Sequence, residues 1–106
     1  MPTENKTHTY RFGEKVAIDN VDLLNDELEP CFTSAKIKNI IYDLENVHVC
    51  DLYGIQFLLH SQRSAEQNRK QLVLYRASPL LKDILKDAGL FHIFTFTDSL
   101  EKFFLD

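Results

Sequence analysis

The sequence predicts a single α/β domain built on a mixed, mostly parallel sheet of about five strands with about four helices. Three observations carry that expectation. Short apolar stretches alternate with segments of helical periodicity along the chain, a pattern that joins parallel strands by right-handed crossovers. The run Lys38-Asn39-Ile40-Ile41-Tyr42-Asp43-Leu44 is largely apolar with β-branched residues, as a strand covered on both faces requires. Third, Val49-Cys50-Asp51-Leu52-Tyr53-Gly54-Ile55-Gln56-Phe57-Leu58-Leu59 reads as an apolar strand running into a helix, a junction where open α/β sheets commonly build functional sites.

The elements follow in the order β-β-α-β-α-β-α-β-α. Residues 1–7 read as a flexible N-terminus and residues 8–106 as the domain. His8-Thr9-Tyr10-Arg11-Phe12 alternates, Gly13-Glu14 reads as a turn, and Lys15-Val16-Ala17-Ile18 is a second strand. The pair suggests a hairpin. Asp19 and Asn20 are N-cap candidates. In the helix after them Val21, Leu24 and Leu28 recur at helical spacing, with Cys31 and Phe32 a turn later and Pro30 limiting or kinking the end.

After the central strand, Glu45-Asn46 turns the chain and Val47-His48-Val49-Cys50 continues extended. From Leu52 to about Asn68 the pattern is helical, with Leu52, Ile55 and Leu59 sharing the face expected to turn inward, flanked by Leu58. Gln71-Leu72-Val73-Leu74-Tyr75 is another strand. Ser78-Pro79 starts a helix, serine as cap and proline at the first position. Leu81, Ile84, Leu85 and Ala88 are expected on its inner face, and Gly89 ends it. His92-Ile93-Phe94-Thr95-Phe96 is the last expected strand. Asp98-Ser99-Leu100-Glu101 has the form of a capping box opening a short helix with Leu100, Phe103 and Phe104.

Composition excludes several function classes. The net charge of −4, from 16 acidic against 12 basic residues, argues against nucleic acid, which selects a basic stripe. No run of about 18 apolar residues is present, so no membrane insertion is expected. The N-terminus lacks the apolar region of a signal peptide, which points to the cytoplasm. Cys31 and Cys50 lie on different elements and read as buried thiols. His8, His48, His60 and His92 are scattered, so no metal site and no cofactor are expected. A Gly-rich phosphate loop is missing. His48 and Cys50 share a strand face but lack a third group and an oxyanion hole. Asp43 and Asp51 alone are weak grounds for a cation site. The chain reads as a non-enzyme.

The functional candidates gather at the strand-to-helix junction. Asp51 is placed to accept N–H bonds at the helix start, and a carboxylate there disfavours a bound phosphate. Gly54 suits a close backbone approach or a positive φ. Tyr53 is either half-buried packing or an exposed anchor for a partner. Gln56 lies on the same opening turn. Leu52 either packs inward with Ile55 and Leu59 or joins Tyr53 in a small apolar patch.

Taken in order, these pieces resemble the STAS domain, the module shared by sulfate transporters and bacterial anti-sigma factor antagonists. The likeness covers residues 9–105. It is carried by Val16-Ala17-Ile18, Ile40-Ile41-Tyr42-Asp43-Leu44, the 51–54 loop with Leu58-Leu59, Leu72-Val73-Leu74, and Ser78-Pro79 followed by Leu85 and Gly89-Leu90-Phe91. Gly54-Ile55-Gln56-Phe57-Leu58-Leu59 looks most like the stand-alone bacterial type found near chemotaxis kinases or lipid-transport systems.

The resemblance implies a non-catalytic interaction module like an anti-sigma factor antagonist. It would dock an anti-sigma factor, serine kinase-like or chemotaxis-linked partner through Asp51, Leu52, Tyr53, Gly54 and Gln56. The alternatives are a STAS subunit of a lipid or anion ABC-transport complex, meeting a transporter ATPase with the same face, or a small-ligand or anion sensor. A homodimer is compatible with all three. Switching antagonists carry Asp-Ser-Ser-Gly, or a threonine variant, at this loop. Asp51 and Gly54 match it, whereas Leu52 and Tyr53 replace the two hydroxyl positions. Tyr53 is the motif-equivalent position for phosphorylation, but a phosphate of roughly −2 charge there would face Asp51. Docking without the usual Ser/Thr switch is the expectation.

Overall fold

Among the described residues, 6–101 in the computed structural model, the order is β1 (Thr7–Arg11), β2 (Lys15–Val16), α1 (Val21–Thr33), β3 (Asn39–Asp43), β4 (Val49–Cys50), α2 (Leu52–Gln67), β5 (Gln71–Tyr75), α3 (Pro79–Asp87) and β6 (Phe96–Thr97). Most of the expected flexible terminus and of the expected last helix lies outside the described residues. Four strands form one sheet in the order β1-β3-β5-β6, while β2 and β4 form a small second sheet. Every pairing is parallel. β3 is the doubly covered strand, buried at all five positions.

The hairpin is corrected. Phe12 N–H donates to the Asp43 carbonyl at 3.0 Å, so the first strand is still laddered to β3 where a hairpin would have to turn back. The next two residues instead carry the chain to β4, where the Glu14 carbonyl accepts from His48 N–H at 2.7 Å and Val49 N–H at 3.1 Å. β1 also opens one residue before the expected start, with Thr7 in register with Asn39.

Side chains from β3 and β5 meet the helices in a continuous core that includes Leu28, Phe32, Ile40, Tyr42, Phe57, Leu58, Leu72, Leu74 and Leu85. Its aromatic centre is Phe12, Tyr42 and Phe57. The Phe12 ring stands edge-on to Tyr42 at 4.8 Å, and Tyr42 stacks with Phe57 at 6.0 Å, geometries that suit the ring quadrupoles. The buried Tyr42 phenol donates to Ser61 Oγ at 2.7 Å, as a buried hydroxyl must.

α2 turns a different face inward from the one expected. Gly54, Phe57, Leu58, Ser61 and Ala65 are buried, whereas Leu52 is exposed and Ile55 and Leu59 are half-buried. Small residues make the close approach here, and hydropathy gives them little weight. α1 runs through Pro30 to Thr33. α3 has the expected Ser78 cap, whose Oγ accepts from Leu81 N–H at 3.1 Å, and Gly89 leaves it with φ 76°. Leu81 and Leu85 are its buried residues, Ile84 is half-buried, and Ala88 is exposed at the cap.

The expected strand over residues 92–96 is mostly a connection. Phe91–Ile93 forms one 3₁₀ turn, and ladder pairing is confined to Phe96–Thr97. Apolar composition there serves packing, with Phe94 buried and Phe91 stacked on Phe96 at 4.8 Å. Just before the expected capping box, Thr97 Oγ1 accepts from Ser99 N–H at 3.0 Å; most of the helix that the box would open lies outside the described residues.

Candidate functional site

The start of α2 is built around one carboxylate. Asp51 occupies the N-cap with extended backbone. Its Oδ1 accepts from Gly54 N–H at 2.9 Å, the usual capping bond. Its Oδ2 accepts from Ile18 N–H at 3.0 Å, across 33 residues of sequence. The Ile18 N–H bond, with support from Gly54 N–H, holds the Asp51 carboxyl below its ordinary range, because both donors favour the charged form. One side chain therefore ties the segment after β2 to the first turn of α2.

Gly54 is the second fixed point. A Cβ on it would stand 2.0 Å from the Val16 carbonyl oxygen and 2.8 Å from Cys50 Sγ. The helix thus rests directly on the backbone of β2, and only glycine permits that approach. Asn20 stiffens the same corner. It sits at the N-cap of α1 without a capping side-chain bond. Instead its Oδ1 accepts from Ala17 N–H and its Nδ2 donates to the Lys15 carbonyl, both at 2.8 Å. Lys15 also pairs with Asp19.

On this rigid base the apolar residues point outward. Tyr53 is 47% exposed and Leu52 62% exposed, so the ring is not core, and Leu52 lies at the surface with it rather than on the inner face. Gln56 is exposed on the next turn. Sequence reasoning missed their companions. The large apolar side chains left exposed among the described residues are Ile18, Leu23, Val49, Leu52, Tyr53 and Leu80. Each lies in or just after a strand that leads to a helix, or in the first turn of a helix. All but Val49, which opens β4, follow the carboxyl end of a strand in the chain, the end at which α/β folds place their sites. Leu23 and Leu80, second or third in their helices, carry that signal in the sequence, since an apolar residue off the inner stripe of a first turn faces solvent.

The same edge carries a charged cluster at the ends of β1, β3 and β5. Arg76 Nη2 lies 3.0 Å from Asp43 Oδ2 and 3.4 Å from Glu45 Oε1, and Arg11 Nη2 lies 3.1 Å from Glu45 Oε1. Asp43 holds the Arg76 guanidinium still more firmly protonated. Asp43 is therefore engaged by arginine and does not combine with Asp51 as a cation site. Arg76 adopts φ 60°, a conformation uncommon for residues other than glycine.

Cys50 and His48 do not form a nucleophile. His48 is exposed, and burial, followed by the charge of Asp51, pushes the Cys50 thiol up to about 11. That leaves little thiolate near neutrality. Cys31 is buried in α1, and its thiol is also pushed up by burial. Among the described residues no group of three or more His, Cys, Asp or Glu side chains is placed to hold a metal ion, and no helix is long and apolar enough to cross a membrane.

Comparison with known proteins agrees with this architecture. The family model of the STAS domain matches residues 1–103. No curated protein matches the chain. Among solved structures, the unphosphorylated form of the anti-sigma factor antagonist SpoIIAA is 16% identical with a TM-score of 0.71, over 96% of this chain and 88% of that one. The phosphorylated form of SpoIIAA, described as a Bacillus cell fate determinant, is 17% identical with a TM-score of 0.70, over 96% and 92%. A sulfate transporter family protein from Wolinella succinogenes is 22% identical with a TM-score of 0.77, over 92% and 81%. At these identities the likeness establishes the fold.

Proposed function

The chain belongs to the STAS domain family, and on that premise we propose that it is a non-catalytic docking module resembling an anti-sigma factor antagonist. The partner class is an anti-sigma factor or serine kinase-like protein, or a chemotaxis-linked one, in the cytoplasm. The observation that carries this reading is that Ile18, Leu52 and Tyr53, which the Asp51 carboxylate ties to one corner, are all exposed there. Such clustering marks an interaction surface, whereas singly scattered apolar residues do not. Within the 51–56 segment, Leu52, Tyr53 and Gln56 present side chains to the partner, while Asp51 and Gly54 hold the turn that presents them.

Leu52 and Tyr53 stand where switching antagonists carry hydroxyl residues, so docking is constitutive or is regulated on the partner. Intact mass after incubation with the kinase-like partner is expected to show no added phosphate. Calorimetric titration of Tyr53→Ala against that partner is expected to show a loss of about 1–2 kcal/mol, the scale of a tyrosine anchor in an interface. Unchanged affinity removes Tyr53 from the anchor role. The likeness to a sulfate transporter family protein supports one further reading, a STAS subunit seated on a transporter ATPase through the same face. Co-purification with a transporter ATPase, and not with a kinase-like protein, would select it.

A further inference from the structure

Away from the docking edge, the second halves of α1 and α2 leave a cleft of about 280 Å³ between them. Its floor is apolar, formed by the buried side chains of Leu28, Phe32 and Phe57. Ser61 lines it too and is 2% exposed. Its Oγ accepts the Tyr42 phenol proton at 2.7 Å, and its own hydroxyl hydrogen meets no acceptor among the described residues. A buried donor in that state calls for an acceptor on whatever occupies the cleft.

At the mouth, the side chains of Asn25 and Glu29 take no hydrogen bond or ion pair among the described residues. Both helices end beside the cleft, which is lined by Thr33 and Asn68. Lys70 Nζ donates to the Ser34 and Ile37 carbonyls just past the end of α1 and offsets that end, so the negative field at the cleft comes from the end of α2 and the Glu29 carboxylate. His60 is the one lining residue able to carry a positive charge. Phosphate and carboxylate groups are disfavoured in such a field, and an ammonium is favoured.

We propose that this cleft binds a small amphipathic amine, with an apolar or aromatic body on Leu28, Phe32 and Phe57, an acceptor atom facing Ser61, and the ammonium at Glu29. The volume lies at the small end of ligand pockets and suits about ten to fourteen non-hydrogen atoms. A ligand of that size binds with a dissociation constant of about 1 mM. The site is independent of the docking edge.

Tyramine is the probe, its phenol oxygen serving as acceptor and its ammonium as head group. Para-hydroxyphenylacetate, the same ring with a carboxylate, is the comparator. In a proton–nitrogen NMR titration of the full chain, tyramine is expected to give saturable shifts confined to amides 25–33 and 57–68. The carboxylate is expected to bind at least about tenfold more weakly. Ser61→Ala, which also removes the Tyr42 acceptor, is expected to weaken tyramine binding about threefold or more. Glu29→Gln lies at the exposed mouth, keeps the fold and is expected to weaken it about threefold, so the proposal is tested even if Ser61→Ala does not fold. Shifts that fail to saturate or spread over the surface, equal binding of the carboxylate, or full affinity in Glu29→Gln would overturn it.

Discussion

Replacing Gly54 by alanine separates two opposed expectations. Helix propensity alone makes Gly54→Ala stabilising by about 1 kcal/mol, since glycine is a poor residue inside a helix. The packing makes it destabilising. The added Cβ would stand 2.0 Å from the Val16 carbonyl oxygen, where ordinary contact begins near 3.4 Å. Neither side yields cheaply. Val16 is in register with Cys50 in the small sheet, and Asn20 holds Lys15 and Ala17 on either side of it. A helix that backs away stretches the bond from Ile18 N–H to Asp51.

Overpacking of this kind costs about 1–3 kcal/mol, and a weakened backbone bond adds about 0.5–1.5 kcal/mol. Against the propensity gain, the net loss is about 1–3 kcal/mol. In a domain of this length each kcal/mol moves Tm by about 4–8 °C, so a fall of about 10 °C is expected in thermal unfolding followed by circular dichroism. Gly13→Ala is the control, because a Cβ there meets nothing within 4 Å, and it is expected to stay within about 0.5 kcal/mol of the parent. A Gly54→Ala protein as stable as the parent would refute the close-approach explanation and with it the rigid seating of α2 on β2.

Acid titration probes the Asp51 carboxylate. Its folded pKa lies below the ordinary value of 3.8 because Ile18 N–H and Gly54 N–H bond the charged form. Its stabilisation is therefore complete above that value and lost as pH falls through the folded pKa. The urea-midpoint gap between the parent and Asp51→Asn is expected to be widest near neutrality and to close in acid, and a gap that widens in acid refutes the linkage. Cys50, with its thiol near 11, is expected to alkylate at pH 8 about a hundredfold more slowly than a free thiol, read by mass spectrometry of the modified peptide; labelling at the free-thiol rate refutes it. Ser61→Ala strands the Tyr42 phenol and is expected to cost about 1–3 kcal/mol, whereas Tyr42→Phe removes the donor and costs about 1 kcal/mol. In a denaturant double-mutant cycle the pair is expected to couple, and strict additivity would show that the bond at 2.7 Å contributes nothing.

How far the sequence could be read depended on whether the deciding partner was local. The buried run at β3, the cap at Asp51, the Ser78-Pro79 start and the Gly89 stop are set by residues within a few positions of one another, and all were legible. The pairing of β2 with β4 was not, because Glu14 finds His48 and Val49 across more than thirty residues of chain and no local pattern encodes that choice. The inner face of α2 failed for another reason. Leu52-Ile55-Leu59 and Gly54-Leu58-Ser61-Ala65 are both helical stripes, and only the contact with Val16 selects the one made of small residues. The candidate site was therefore legible as a junction but not as a surface. Ile18 and Val49 read as ordinary strand residues and are solvent-facing.

That misreading bears on how the junction works. Asp51 is the residue that most resembles a recognition group in the sequence, yet both of its oxygens are already engaged by backbone donors within the chain. A partner's cation would share a carboxylate whose orientation is already fixed by the bonds that close the β2–α1 link onto α2. Leu52 and Tyr53 carry no such obligation, since their apolar surface faces water in the free protein and its removal from water favours any complex. The division of labour follows from the geometry. In the proposed docking mode the acid and the glycine determine where Ile18, Leu52 and Tyr53 stand relative to one another, and those three supply the affinity. On this reading Asp51→Asn alters partner binding only as far as it loosens Ile18, and its effect on affinity should be smaller than that of Tyr53→Ala.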